Sequence, residues 1–482
     1  MLKMFTQGDD MGVKSEKAPA LEISVNPSLK QLQLSDTAPT HRPKQPGITR
    51  VLLCATHYRL FSGYANVVYN LLRRLATKTD IEVTLFAFQN FKNNNIGRED
   101  LPSNIKVYDC FEEEGGAEAK KAGFGENLIG AFLRRYPQDV CIIYNDMSVV
   151  AMLMKNVVET LTEAERAQIK FVCYIDQVYQ YQKEKYIGLL NEHFHHIIAF
   201  TQYWADFIKT QIKPALGGDI SILPHGFETA TYFPIPKNIC RIYYNIPPDA
   251  FVIINLNRCQ PRKRLDHMCV AFAEVCRRHQ DLIEKRGTTA TTPRPLRLLV
   301  GTALQGCWDI PEILSWEFKK RRMAPELINE YIVAVARPQS LTDREVNILY
   351  NAADIGIQAV DGEGMGLTAM EQMGVGIPQV ANHVGGFKEF MTPQNAILVE
   401  PSSTYYIDNS RDSIGGLAEM CDPIALADGI WKLFLNPALV RKLGTKARAD
   451  IVQHFKWDVI GDRLHNVIKK AATLPVTGLV VN

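Results

Sequence analysis

The chain has 482 residues, 46% of them apolar and 22% charged, with a formal net charge of +2. That length exceeds one hydrophobic core, so two or three domains are expected, and the near-neutral balance gives no support for bulk nucleic-acid binding. Ten cysteines are scattered without a CxxC pair, in apolar settings such as Val51-Leu-Leu-Cys54 and Val140-Cys-Ile-Ile143. This pattern argues against a disulfide frame or a zinc site and fits reduced, buried thiols in a cytoplasmic protein. No secretory signal pattern and no apolar run of bilayer-spanning length is present, which leaves room only for peripheral membrane contact.

Residues 1–48 lack hydrophobic periodicity and are rich in Lys, Ser, Pro and Thr, as expected of a disordered leader. Order is expected from Ile48-Thr-Arg-Val-Leu-Leu-Cys-Ala55, a buried strand, followed by a loop that enters a helix near Gly63. Val67, Val68, Leu71, Leu72 and Leu75 give that helix its apolar face. Strands then follow at Ile81–Phe88, Val140–Tyr144, Lys170–Ile175, His196–Phe200 and Ile220–Leu223, with helical segments between them, one of them from Val149. Repeated βαβ units imply a parallel sheet that binds ligands at the C-terminal ends of its strands. Asp176, at the end of the Lys170–Ile175 strand, stands where such a ligand arrives, though a surface Asp is the plainer reading.

Pro224-His-Gly-Phe-Glu228 reads as a turn and Tyr232-Phe-Pro-Ile-Pro236 as a stiff linker, which places a hinge near residues 229–237. A second series of strands runs through Phe251–Leu256, Leu296–Gly301 and Tyr331–Val335, with Thr288 to Pro295 as an exposed loop. Directly after its first strand comes Asn257-Arg-Cys-Gln-Pro-Arg-Lys-Arg264. Alone this is a solvated basic turn. At a strand end it can bind a diphosphate, Arg as a planar fork and Lys as a point charge.

Ala353–Val360 alternates like a strand, then Asp361-Gly-Glu-Gly-Met-Gly-Leu-Thr-Ala-Met-Glu371 leads into a helix ended by Gly376-Ile-Pro378, and Gln379–Asn382 follows as a strand. Strand, glycine loop and helix place unpaired backbone N–H groups at a positive helix end, where phosphate binds. Gly362, Gly364 and Gly366 admit close approach of a ligand to the backbone. Thr368 and Glu371 have the spacing of a capping box, which competes with a ligand-binding role for Glu371. Glu363, inside the loop, is better suited to ligand hydroxyls than to phosphate. His193, His195 and His196 lack a second spaced ligand pair and read as structural, and the glycine spacing misses the G-x-G-x-x-G dinucleotide fingerprint. A last helix, Trp457 to about Ala472, carries Val459, Ile460, Leu464, Val467 and Ile468 on one broad face.

Taken in order, these motifs resemble glycosyltransferase family four. Glu363 to Glu371, followed by Gly374-Val-Gly-Ile-Pro378, looks like that family's Glu–seven residues–Glu signature; Leu223-Pro-His-Gly-Phe-Glu228 with Phe233-x-Pro is similar to its crossover segment; Leu349-Tyr-Asn-Ala-Ala-Asp354 matches the element before the signature. The resemblance covers roughly residues 50–470. It implies a GT-B fold of class α/β: two doubly wound Rossmann-like domains about a central cleft, at 49–232 on the acceptor side and 233–455 on the donor side, with a helix at 456–475 crossing back to the first. It also implies a retaining, metal-independent transfer of a sugar from a nucleotide-diphosphate sugar, without a cofactor, to an acceptor it does not identify. Carried over residue by residue, Glu371 would bind the ribose; Glu363 with the Gly364, Met365, Gly366 and Leu367 amides would hold the sugar; Thr368 would line the donor site. Arg258 and Lys263 would stabilise the leaving diphosphate and Gly63 would face the phosphates. The family's usual His-Asp pair is here Ile175-Asp176, so only Asp176 could contact the sugar, and the crossover Asn is His225. A catalytically silent GT-B scaffold and a GT-B epimerase are the competing readings.

Overall fold

The computed structural model describes residues 45–90, 98–111, 123–213, 219–286, 293–335, 341–407 and 415–474. The leader expected over 1–48 lies almost wholly outside the described residues, as does most of the loop expected over 288–295.

Strands β1 (Thr49–Thr56), β2 (Ile81–Phe88), β3 (Lys106–Asp109), β4 (Val140–Asp146), β5 (Lys170–Asp176), β6 (His196–Ala199) and β7 (Ile220–Ile222) form one sheet. Its order is β3-β2-β1-β4-β5-β6-β7, and every neighbouring pair is parallel. A second sheet takes β8 (Phe251–Asn255), β9 (Leu296–Val300), β10 (Ile332–Ala334), β11 (Ile355–Gln358), β12 (Gln379–Asn382) and β13 (Ala396–Val399) in the order β10-β9-β8-β11-β12-β13. It too is parallel throughout. Parallel strands buried on both faces need continuous apolar runs, and β1 and β8 supply them: Val51 to Ala55 and Phe251 to Ile254 are all buried.

The strand order reverses between β1 and β4 in the first sheet and between β8 and β11 in the second. Loops leaving such a switch point open a crevice at the strand C-termini. Here those loops carry Gly63 after β1, Arg258 to Arg264 after β8, and Glu363 after β11. In the linker, Asn347 and Asn351 accept hydrogen bonds from the Phe233 and Ile235 amides, at 3.3 and 2.8 Å. The chain returns at Phe455, whose carbonyl accepts from the Phe227 amide at 2.7 Å.

The final helix, Trp457–Ala472, packs against the helix Gly63–Leu75 and against β1, β4 and β5 of the first domain. It buries Trp457, Ile460, Leu464, Val467, Ile468 and Ala471. Val459, placed by sequence on the same face, is 44% exposed: the helix turns its side chain to solvent. Gly226 makes the junction possible, because a Cβ there would fall 2.3 Å from Trp457 Cδ2.

Candidate functional site

A cavity of about 540 Å³ lies between the two sheets and is lined from both. The first domain contributes Gly63, Tyr64, Asn66, Asp176 and His225; the second contributes Arg258, Arg262, Lys263, Glu363, Met365 to Ala369, and Glu371. Gly364, expected among the lining residues, is not one of them. Its Cα faces the first domain, where a Cβ would lie 2.0 Å from Asp176 Oδ1, and its carbonyl accepts from Trp204 Nε1 at 3.0 Å.

The helix after the glycine loop runs over Leu367–Gly374, and its N-cap is Gly366 at φ +85°, with no side-chain cap bond. The capping-box reading of Thr368 and Glu371 therefore fails, since Thr368 is already inside the helix. Its first helical bond is Met370 N–H to Gly366 C=O at 3.0 Å. The amides of Leu367, Thr368 and Ala369 precede it and have no partner within the helix. Gly63 occupies the matching position across the cavity, at the start of a helix capped by Ser62 Oγ, which accepts from Ala65 N at 3.1 Å. A Cβ on Gly63 would meet Leu367 Cδ1 at 3.1 Å, so two helix N-termini converge on the same space.

Glu363 is buried and tied to two cations: Lys263 Nζ bonds Oε2, and Arg262 Nη1 donates to the same oxygen at 3.2 Å. Burial alone would raise its pKa, but Lys263 and Arg262 outweigh it and hold the carboxyl at about 2. Burial, and then the neighbouring Arg262, lower Lys263 to about 8 despite its bond to Glu363. Arg262 had been counted in the basic run without a role; nothing in the sequence distinguished it from Arg258, and only the fold brings it to Glu363. Arg258 is exposed to the cleft and, among the described residues, no carboxylate bonds it. Arg264 turns away, pairing with Asp266 at 2.6 Å.

Glu371 accepts from Tyr350 Oη at 2.8 Å and, from the other domain, Asn66 Nδ2 at 3.1 Å. Burial raises it to about 8, against the Tyr350 bond, which favours the ionised form. Asp176 accepts from Tyr64 Oη at 2.7 Å, and the same phenol reaches Asp146 at 3.0 Å. Asp146 stands beside Asp176 in the β4–β5 register, a neighbour that strand pairing alone creates. Burial raises the Asp176 pKa, opposed chiefly by Tyr64, and its Oδ1 has no partner. His225 lies in the cavity floor against Phe200, with Nε2 3.3 Å from Tyr144 Oη; burial lowers it to about 3, so it is neutral.

His195 accepts from the Phe171 amide at 3.2 Å and His196 pairs with Ser221 Oγ at 2.8 Å, which makes both structural. Among the described residues, no three His, Cys, Asp or Glu side chains gather to hold a metal ion, and no helix is long and apolar enough to cross a membrane. Eight of the ten cysteines are buried as expected, whereas Cys259 is half-buried and Cys307 exposed on loops at the strand ends.

Residues 241–450 match the family described as Glycosyl transferases group 1. Among curated proteins, the chain is 26% identical over 279 residues to the GDP-mannose-dependent monoacylated alpha-(1-6)-phosphatidylinositol monomannoside mannosyltransferase of Corynebacterium glutamicum, covering 55% of this chain and 61% of that one. It is 30% identical over 241 residues to the D-inositol 3-phosphate glycosyltransferase of Acidothermus cellulolyticus, covering 50% of this chain and 45% of that one. The chain thus spans about half the length of these relatives. Among solved structures, sucrose-phosphate synthase from Thermosynechococcus elongatus superposes with a TM-score of 0.63 at 16% identity, over 88% of this chain and 98% of that one. Alr3699/HepE of Anabaena, in complex with UDP and glucose, does so with a TM-score of 0.60 at 15% identity, over 88% and 99%.

Proposed function

We propose that this chain, whose residues 241–450 match the glycosyl transferases group 1 and which has the GT-B fold, moves a sugar from a nucleotide-diphosphate sugar to an acceptor hydroxyl, with retention and without a metal ion. The observation that carries this reading is the convergence, in one cavity, of Glu363, Glu371, the Arg258–Arg262–Lys263 cluster and the free amides of a helix start. The names of the relatives support a nucleoside-diphosphate donor: one uses GDP-mannose, and a structural neighbour holds UDP. They do not choose between the bases.

In this reading Glu371 accepts the ribose hydroxyls, and the diphosphate lies between Arg258, Lys263 and the amides of Leu367 and Thr368. Breaking the glycosyl–phosphate bond puts charge on the diphosphate, and Arg258, which bonds no carboxylate among the described residues, meets it. Fixed donors aimed at developing charge are typically worth about 3–4 kcal/mol each. Glu363 holds sugar hydroxyls from a position fixed by Lys263 and Arg262. The acceptor would enter from the side of Tyr64 and Asp176.

A second reading, a GT-B scaffold that binds the nucleotide sugar without transfer, draws on Asp176. Its Oδ1 is buried beneath Gly364 rather than open to the cavity. Donor consumption without added acceptor separates the two: the transferase releases nucleoside diphosphate slowly to water, and Arg258→Ala lowers that kcat roughly 100-fold. A scaffold binds the donor and leaves it intact.

A further inference from the structure

One face of the helix Gly63–Leu75 carries a polar ladder at four-residue spacing: Asn66, Asn70 and Arg74. Arg74 Nη1 donates to Asn70 Oδ1 at 3.1 Å, Asn70 Nδ2 donates to Asn66 Oδ1 at 3.0 Å, and Asn66 Nδ2 donates to Glu371 Oε1 at 3.1 Å. At the far end Arg74 Nη2 donates to Glu228 Oε2 at 2.6 Å and Nε to Asp458 Oδ1 at 3.2 Å. Every bond runs in one sense, from a guanidinium to a carboxylate. Flipping either amide would break that sense: Asn66 would set oxygen against the Glu371 carboxylate, and Asn70 would set its NH₂ against Arg74. With Glu371 ionised, as ribose binding requires, the chain of bonds therefore has one arrangement, and its members polarise one another.

The ladder joins three parts that are far apart in sequence. Glu371 belongs to the candidate donor site, Glu228 to the crossover between domains, and Asp458 to the C-terminal helix. A carboxylate offers about four lone-pair positions. Asn66 occupies one on Oε1 and Tyr350 one on Oε2, which leaves one open on each oxygen, the number a vicinal diol needs. Asn70 is buried away from the cavity lining and can reach the ligand only through Asn66.

We propose that Asn66, Asn70 and Arg74 are positioning residues that couple the orientation of Glu371, and with it nucleotide affinity, to the junction of the first domain with the crossover and the C-terminal helix. This rests on the reading of Glu371 as the ribose ligand. Losing the middle of the ladder frees Asn66 to swing off Glu371, so the carboxylate meets the diol in the wrong rotamer.

The test is calorimetric titration of UDP, GDP, ADP and CDP into the full chain and three variants: Asn70→Leu, Glu371→Gln and the double substitution. Asn70→Leu should raise the Kd of the best-bound nucleotide roughly five-fold or more, the lower end of coupling between distinct sites. That loss should vanish in the Glu371→Gln background, because the ladder acts through Glu371. Equal losses in both backgrounds, or no loss in the wild-type background, overturn the ladder while leaving the donor site standing. Should wild type bind none of these nucleotides, the reading of Glu371 fails and the ladder's role fails with it. If Asn70→Leu does not fold, Arg74→Met breaks the same chain at its half-buried outer end and is judged by the same cycle.

Discussion

Glu371 and Lys263 reach the same protonation range from opposite directions. Burial lifts the carboxyl to about 8 and brings the ammonium down to about 8. In the proposed donor site both must be charged, so kcat/KM should follow a bell with two limbs near pH 8. Glu371→Gln should remove the acid limb and Lys263→Arg the alkaline one, each at reduced activity; a flat profile in wild type would remove Glu371 or Lys263 from the mechanism. The raised Glu371 pKa also bears on stability. The folded state binds one more proton than the unfolded chain between the ordinary carboxylate range and about pH 8, so this stability is present at low pH and lost as pH rises through that window. Relative to wild type, Glu371→Gln should therefore gain in Tm between pH 5 and pH 9, and a constant difference would contradict the shift. Glu363→Gln should spare nucleoside-diphosphate affinity while lowering turnover. The two glutamates were legible as a spaced pair, but their partners were not: Asn66 lies 305 residues from Glu371. Arg262 and Arg258 could be ranked only once the turn Pro261–Lys263 aimed Arg262 at Glu363.

At the scale of elements, the turn into the helix Leu367–Gly374 depends on Gly366. Its φ of +85° is left-handed, and a Cβ would fall 2.3 Å from Phe387 Cε1. Gly366→Ala should cost about 1–2 kcal/mol from the backbone alone, read by chemical denaturation, and should weaken nucleotide binding as the amides shift. Gly364→Ala separates closure from folding. Its added methyl meets Asp176 across the domain boundary, so nucleotide binding to the second domain should persist while turnover falls; unchanged turnover would show that the two domains need not meet there. Strand β2 runs over the residues expected from apolar alternation, and β12 over those expected directly after the helix stop at Gly376-Ile-Pro378. Strand β3 was missed because its first two residues are exposed on the sheet edge. The antiparallel pair Ser403–Tyr406 and Leu417–Met420 was missed for the same lack of an apolar period. Thr368 looked like a cap because its spacing to Glu371 is right, but a left-handed Gly366 starts the helix two residues earlier than a Thr368 cap allows.

For the whole molecule, the two domains are held by the crossover near Phe227 and by the helix Trp457–Ala472. Lys78–Asp462, Lys469–Asp80 and Lys470–Asp219 ring that helix at the surface, where ion pairs contribute little. Its apolar face does the holding, so deleting residues 457–482 should expose the first-domain surface that Trp457, Ile460, Leu464 and Ile468 cover and cause aggregation or a large drop in Tm. A stable monomeric truncation would show the helix to be peripheral. The domain pairing followed from the ordered motifs, but the detail of the joint, a tryptophan against a glycine at 226, has no local signature. Metal-free sugar transfer with retention in this cavity is the activity we propose. It is tested most directly by proton NMR of the full chain with nucleotide sugars in excess EDTA. The expected spectrum shows free nucleoside diphosphate growing in while the sugar first appears in the anomeric form it had in the donor. A donor that stays intact, is consumed only after manganese or magnesium is restored, or yields the opposite anomer first would contradict it.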